Sequence, residues 1–304
     1  MTELRQTGAY ATPDGVPKTQ LSVVAYLDIL GFTQEIRAAH NRAESDALLK
    51  RFTDVIGGWY GPGGVMHDRF SAEKDGRRQW EVKAFTDNVV LAHPIRYDPD
   101  GEAELGSAFS DISLFQIDLA HHGLFLRGGV AVGELYADEG FVFGVGLLDA
   151  YAAEQTAGSP RVVLADSAVE YSHKHLSYYG AVKGAPRSRA LLIDEDKRWI
   201  VNYLTSVWPE RTEPPLFDWL EKHRDVVSEK LQTFATDSRV LPKYLWAGRY
   251  HNYFCQHLPG GEDYMLDLPL SPLALTRLED DPETVRRHAL PRTGSTAAID
   301  GRNW

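Results

Sequence analysis

Two aspartates, Asp28 and Asp87, are the residues of this chain best placed to do chemistry. Asp28 ends an apolar run over residues 21–27 and is followed at once by Ile29-Leu30-Gly31-Phe32-Thr33. Asp87 sits in Thr86-Asp87, between two strand-like segments over 80–85 and 88–93. Taken singly, each has an ordinary reading: a strand-end cap for Asp28 and a turn residue for Asp87. Brought together with no histidine or cysteine beside them, two carboxylates suit a hard divalent cation such as Mg²⁺ or Mn²⁺. The turn behind Asp28 adds a second capacity, because a glycine and free backbone N–H groups leading into a helix receive phosphate. Paired carboxylates beside such a cradle imply phosphoryl or nucleotidyl chemistry.

That chemistry requires both aspartates at one sheet edge. Residues 1–20 read as a flexible arm, and 21–27 as a strand buried on both faces. Ile36, Ala39, Ala43, Ala47, Leu48 and Phe52 fall near one face and predict a helix over 33–56, broken by "GGWYGPGG" at 57–64. A hairpin over 80–93 follows, then a helix over 107–122, strands at 125–137 and 140–144, a helix at 147–157 and a strand at 161–165. The order β-α-β-β-α-β is that of the ferredoxin-like split βαβ fold, an α/β (α+β) architecture that sets the Asp28 strand beside the hairpin. Pro214-Pro215 opens a helix with Leu216, Leu220, Val227 and Leu231 on one face. A second helix over 241–257 is rich in aromatics that read as core packing. The chain thus divides into an arm (1–20), a catalytic domain (21–205), a helical extension packed on it (206–282) and a mobile tail (283–304).

Composition narrows the function classes. The 304 residues carry a net charge of −11 with both signs interspersed, which argues against a nucleic-acid-wrapping protein. A single cysteine, Cys255, permits no intramolecular disulfide and fits a reducing compartment. No apolar stretch approaches the ~20 residues that span a bilayer, so no membrane partner and a cytoplasmic location are expected. His121-His122 read as helix-end residues, Asp111 and Asp118 as a solvated face, and residues 194–198 as a charged turn between two strands.

The segments "VVAYLDILGFT", "VKAFTDN", "LRGGVAVGELY" and "FVFGVGLLDAYAAE" resemble, in order and approximate spacing, the class III nucleotidyl cyclases over about residues 21–165. The resemblance implies a class III cyclase core with appended C-terminal helices. It makes Asp28 and Asp87, with the Ile29 carbonyl, the ligands of two divalent ions (Mn²⁺ or Mg²⁺) per site. The Leu30, Gly31, Phe32 and Thr33 backbone would hold the triphosphate, Lys83 would read the base, and Arg127, Gly129 and Gly133 match a family strand. It also implies a homodimer with shared active sites, to which Arg127, Tyr151 or Lys83 contribute.

The chain also departs from that family. Its second base-reading position aligns with Phe141, and its asparagine and arginine positions with Leu148 and Ala152; a one-residue slip brings Asp149 or Tyr151 nearer the site. A broken purine-reading pair with a bulky Phe141 suggests a smaller, pyrimidine base. "YLDILGF", "FTDN", "AYAAE" and "KYLWAGRYHNYF" (243–254) look like the pyrimidine cyclases of Pycsar anti-phage systems. That resemblance implies conversion of UTP, favoured over CTP, to a 3′,5′-cyclic monophosphate that acts on a separate cyclic-nucleotide-gated effector. A purine (ATP or GTP) cyclase and an inactive nucleotide-sensing module are the alternatives.

Overall fold

The computed structural model describes residues 8–60, 79–96, 100–208 and 213–289. In chain order these form β1 (Gln20–Ile29), α1 (Phe32–Ala38), α2 (Arg42–Tyr60), β2 (Glu81–Phe85), β3 (Asn88–Pro94), α3 (Glu102–His121), β4 (Leu126–Ala137) and β5 (Val142–Phe143). Next come α4 (Val145–Gln155), β6 (Val162–Leu164), α5 (Asp166–Leu176), β7 (Leu191–Ile193) and β8 (Trp199–Val201). Last are α6 (Phe217–Thr233), α7 (Leu241–Gln256), β9 (Thr276–Arg277) and α8 (Pro282–Ala289).

The strands form one sheet in the order β2-β3-β1-β4-β6-β8-β7-β9, with β5 on β4. Its first four strands pair antiparallel in the split βαβ order, so the expected α/β architecture is the observed one. Register sets Asp28 opposite Asn88 on β3 and opposite Arg127 on β4. One face of β1, with Val23, Ala25, Leu27 and Ile29, packs into a core with Val55 and Ile56 of α2 and Leu105, Phe109 and Ile112 of α3. On the other face, Val24 of β1 joins Val90 of β3 and Ala131 and Leu135 of β4 against Ala150 of α4. Burial on both faces explains why β1 reads as apolar and not alternating.

Helix α4 lies hard against β4. A Cβ on Gly129 would come within 2.1 Å of the Ala150 carbonyl oxygen, and one on Gly133 within 2.9 Å of the Gly146 Cα. The glycines after Arg127 are therefore needed for a close approach of helix and strand.

Several expectations need correction. The arm is tied down at its inner end: Ala9 and Tyr10 are buried, and the Tyr10 hydroxyl donates to Ser22 Oγ at 2.8 Å. The helix expected over 33–56 is two helices, because Asn41 starts a new one. Asn41 Oδ1 accepts the Glu44 N–H at 3.0 Å while Glu44 Oε2 takes the His40 N–H at 2.7 Å, a variant of the capping box. That helix passes through Gly57-Gly58 to Tyr60, and the rest of the expected break lies outside the described residues. The mobile tail does not begin at 283, since α8 is held by Arg287 on Glu170 and by His288 on the Tyr179 carbonyl. Residues 290–304 of that tail lie outside the described residues.

Candidate active site

A cavity of about 380 Å³ opens where β1 ends. Its floor is Asp28, Ile29, Leu30 and Gly31, and its walls include Thr33, Glu35, Asp87 and Arg127. The volume is in the range of small-ligand sites. Sheet register explains the meeting: Asp28 closes β1 at its pair with Asn88, and Asp87 immediately precedes that partner. The Ile29 N–H donates to the Asp87 carbonyl at 2.9 Å and locks the two segments together.

Gly31 makes the turn out of β1. Its φ of 81° lies in the left-handed region, where a side chain would be strained, and the Glu35 N–H closes back on its carbonyl at 3.0 Å. Only part of the expected phosphate cradle is available. The Leu30 N–H is already given to the Phe125 carbonyl at 2.8 Å, so any cradle consists of Gly31, Phe32 and Thr33. The Phe32 side chain points away into the core, where it meets Phe52 with ring centroids 4.7 Å apart.

Asp87 is aimed by a strained turn. Thr86 has φ 54°, which is costly for a β-branched residue, on the order of 1–3 kcal/mol. Its hydroxyl lies 2.9 Å from Asp87 Oδ1, Asn88 Nδ2 reaches the same oxygen at 3.1 Å, and Thr33 Oγ1 donates to Oδ2 at 3.3 Å.

Asp28 is held differently. Arg127 Nε donates to its Oδ2 at 2.7 Å, and the same nitrogen lies 2.8 Å from Glu154 Oε1. Nε carries one hydrogen, so Glu154 Oε1, fully buried, accepts no hydrogen bond. Burial pushes the Asp28 carboxyl above its usual range, against the pull of the Arg127 hydrogen bond. Glu154 is raised as well, by burial first and then, against the pull of Arg127, by the Asp28 charge. Two carboxylates thus share one guanidinium, and a further cation would relieve the excess negative charge.

The residues fit the divalent ions that the resemblance implies. Asp28, Asp87 and the Ile29 backbone all line the cavity and offer hard oxygen donors, and Arg127 is the cation that Asp28 holds in this structure. Among the described residues no group of three or more His, Cys, Asp or Glu side chains forms a metal cluster.

The structure brings together Asp28, Ile29, Leu30, Gly31, Thr33, Asp87 and Arg127. Lys83, Phe141 and Tyr151 do not line this cavity. Lys83 Nζ lies 3.8 Å from buried Glu81, Tyr151 packs edge-on to Tyr26 at 5.2 Å, and Phe141 is 56% exposed. The bulky aromatic expected to fill part of the pocket is therefore outside it in the single chain.

Six lining residues were not anticipated as such: Glu35 and Ala38 of α1, and Phe234, Val240, Lys243 and Tyr244 from the end of α6 and the start of α7. Glu154 was not anticipated either. Lys243 and Tyr244 open the segment quoted above for its resemblance, but helical periodicity marks only which face is buried, not what it covers.

No family model matches the chain, and no curated protein sequence matches it. Solved structures do. The adenylyl cyclase CyaB of P. aeruginosa is 12% identical, with a TM-score of 0.42 over 60% of this chain and 94% of that one. A class III adenylyl cyclase-like ATP-binding protein from Pseudomonas aeruginosa is 14% identical, with a TM-score of 0.38 over 56% of this chain and 41% of that one. The catalytic core of a rhodopsin-guanylyl cyclase with converted specificity, in complex with ATPalphaS, is 14% identical, with a TM-score of 0.36 over 60% and 96%. All three TM-scores lie below 0.5, so the functional reading stands on the cavity and its residues.

Proposed function

We propose that the chain is a metal-dependent nucleotidyl cyclase that converts UTP, or CTP, to the 3′,5′-cyclic monophosphate and pyrophosphate. The observation that carries this reading is the convergence of Asp28 and Asp87, from adjoining strand ends, on one cavity beside the Gly31 turn. In the reaction the ribose O3′–Pα bond forms, the bond from Pα to the bridging oxygen breaks, pyrophosphate leaves and the hydroxyl proton passes to water. Divalent ions bound there would acidify the 3′-hydroxyl and neutralise the leaving phosphates. Asp28 and Asp87 would hold them, Gly31 to Thr33 would receive phosphate, and Arg127, once freed from Asp28, would offer its charge to the same oxygens.

The reading includes a homodimer. Phe141, Phe143, Val145 and Leu148 are 50–66% exposed, with Tyr151 also exposed, on the β5–α4 side of the fold. Large apolar side chains exposed together mark an interaction face. Lys83, Tyr151 and Phe141, set apart from the cavity of their own chain, would complete the site of the partner. Phe141 in place of a purine-reading side chain supports the pyrimidine preference, and the wider resemblance supports a messenger that switches on an anti-phage effector.

Incubating the protein with each of the four NTPs and Mn²⁺ tests this reading. Cyclic product from UTP or CTP is expected. Product from ATP or GTP alone would make it a purine cyclase, and nucleotide binding with no product would make it a sensing module.

A further inference from the structure

We infer that Lys243, in the first turn of α7, is a substrate-binding residue that grips the outer phosphates of the nucleoside triphosphate. The ligand's identity rests on the cyclase reading; the anion site itself does not. Two cationic side chains line the cavity, Arg127 and Lys243. Arg127 is committed to Asp28 and Glu154. Lys243 makes no ion pair and no side-chain hydrogen bond among the described residues, although its side chain is half-buried. Other cations near the rim are also taken: Arg51 pairs with Glu35, and Lys230 lies 3.8 Å from the same carboxylate.

A half-buried ammonium without a partner is costly unless an anion arrives to pair with it. Asp28 attracts the Lys243 charge and Arg127 repels it, so it responds to the same field that a triphosphate would enter. Burial and the neighbouring guanidinium ease its proton off, and a polyanion would hold it on.

The helix that carries Lys243 is firmly placed. Trp246 Nε1 donates to Asp194 Oδ2 at 3.0 Å, the Tyr250 hydroxyl donates to Asn202 at 2.7 Å, and it accepts the Leu204 N–H at 3.0 Å. Preorganised on that helix, an ammonium with three donors meets phosphate oxygens without first being ordered. The C-terminal helices therefore contribute to the site of their own chain.

Binding of inorganic tripolyphosphate with Mg²⁺, measured by calorimetry on the full chain and its K243M and K243R variants, tests this directly. K243M is expected to weaken binding roughly tenfold or more, and K243R to retain most of it. In turnover assays K243M should raise KM for the triphosphate more than it lowers kcat, with a melting temperature no lower than that of wild type. Tripolyphosphate has neither base nor ribose, so the result stands even if no NTP is cyclised. A wild-type protein that does not bind tripolyphosphate, or a folded K243M that binds it within twofold of wild type, would overturn the inference. Cyclic product from a K243M protein of unaltered KM would do the same while leaving the cyclase reading intact.

Discussion

At Arg127 the account turns on one hydrogen atom. Nε has a single proton and two carboxylates within reach, and it gives that proton to Asp28. Glu154, buried and left without it, is the waiting acceptor that would take the Nε proton when a cation claims Asp28, leaving the terminal guanidinium nitrogens for phosphate. Glu154→Gln removes that charge while keeping the shape. The expected outcome is tighter retention of Arg127 by Asp28, with divalent-ion affinity weakened by roughly three- to thirtyfold, read as a shift in the Mn²⁺ activation midpoint. Equal midpoints for wild type and variant would show that Glu154 has no part in the exchange. Burial raises the Asp28 carboxyl above its usual range, so folding favours its protonated form relative to the unfolded chain. Sign follows from that: stability from this group is present at acid pH and is lost as pH rises through its folded value. Metal affinity runs the opposite way, growing as Asp28 ionises.

Helices α6 and α7 are joined to each other by two stacked histidines. His223 and His251 approach Nδ1 to Nδ1 at 3.0 Å, with ring centroids 5.1 Å apart. One set of tautomers satisfies the whole chain of contacts. The Tyr203 hydroxyl donates to His223 Nε2, His223 Nδ1–H donates to His251 Nδ1, and His251 Nε2–H donates to the Tyr264 carbonyl. Both rings are then neutral. Cys255 Sγ sits 3.4 Å from His251 Nε2, and His121 and Arg224, both repelling a proton, are the other groups that act on the pair. Burial lowers His251 to about 4 and holds His223 well below its usual value. A folded value depressed below the unfolded ~6.5 means stability is full above that pH and falls as pH drops toward 4. Hydrogen exchange should show α6 and α7 losing protection between those limits while β1 and β4 keep theirs. Uniform loss across the protein would argue against a separable extension. The sequence does not reveal this pair, because residues 28 apart on two helices meet only through tertiary packing.

For the whole molecule, what was legible depended on locality. Apolar runs marked β1 and β4 because both are buried on two faces, and Thr86-Asp87 marked the hairpin because turn chemistry is local. The carboxylate pair was legible because the split βαβ order puts those strands side by side. Lys243 as a lining residue was not, since its place depends on α7 reaching across the sheet end from more than 200 residues away. Quaternary structure is tested at this scale too. If sites are shared, co-expressed D28N and K83A chains, each inactive as a homodimer, should recover about a quarter of wild-type activity through one intact site per heterodimer. Activity no higher than the sum of the separate variants would point to sites complete within single chains.

The central claim is that Asp28 and Asp87 together support cyclisation. Its most direct measurement is the yield of cyclic nucleotide and pyrophosphate from UTP and CTP with saturating Mn²⁺, for wild type, D28N and D87N side by side. The account predicts equimolar cyclic monophosphate and pyrophosphate from wild type. It predicts a loss of roughly 10²-fold or more in each folded variant. Wild-type rates in either variant, or pyrophosphate released without cyclic product, would contradict it.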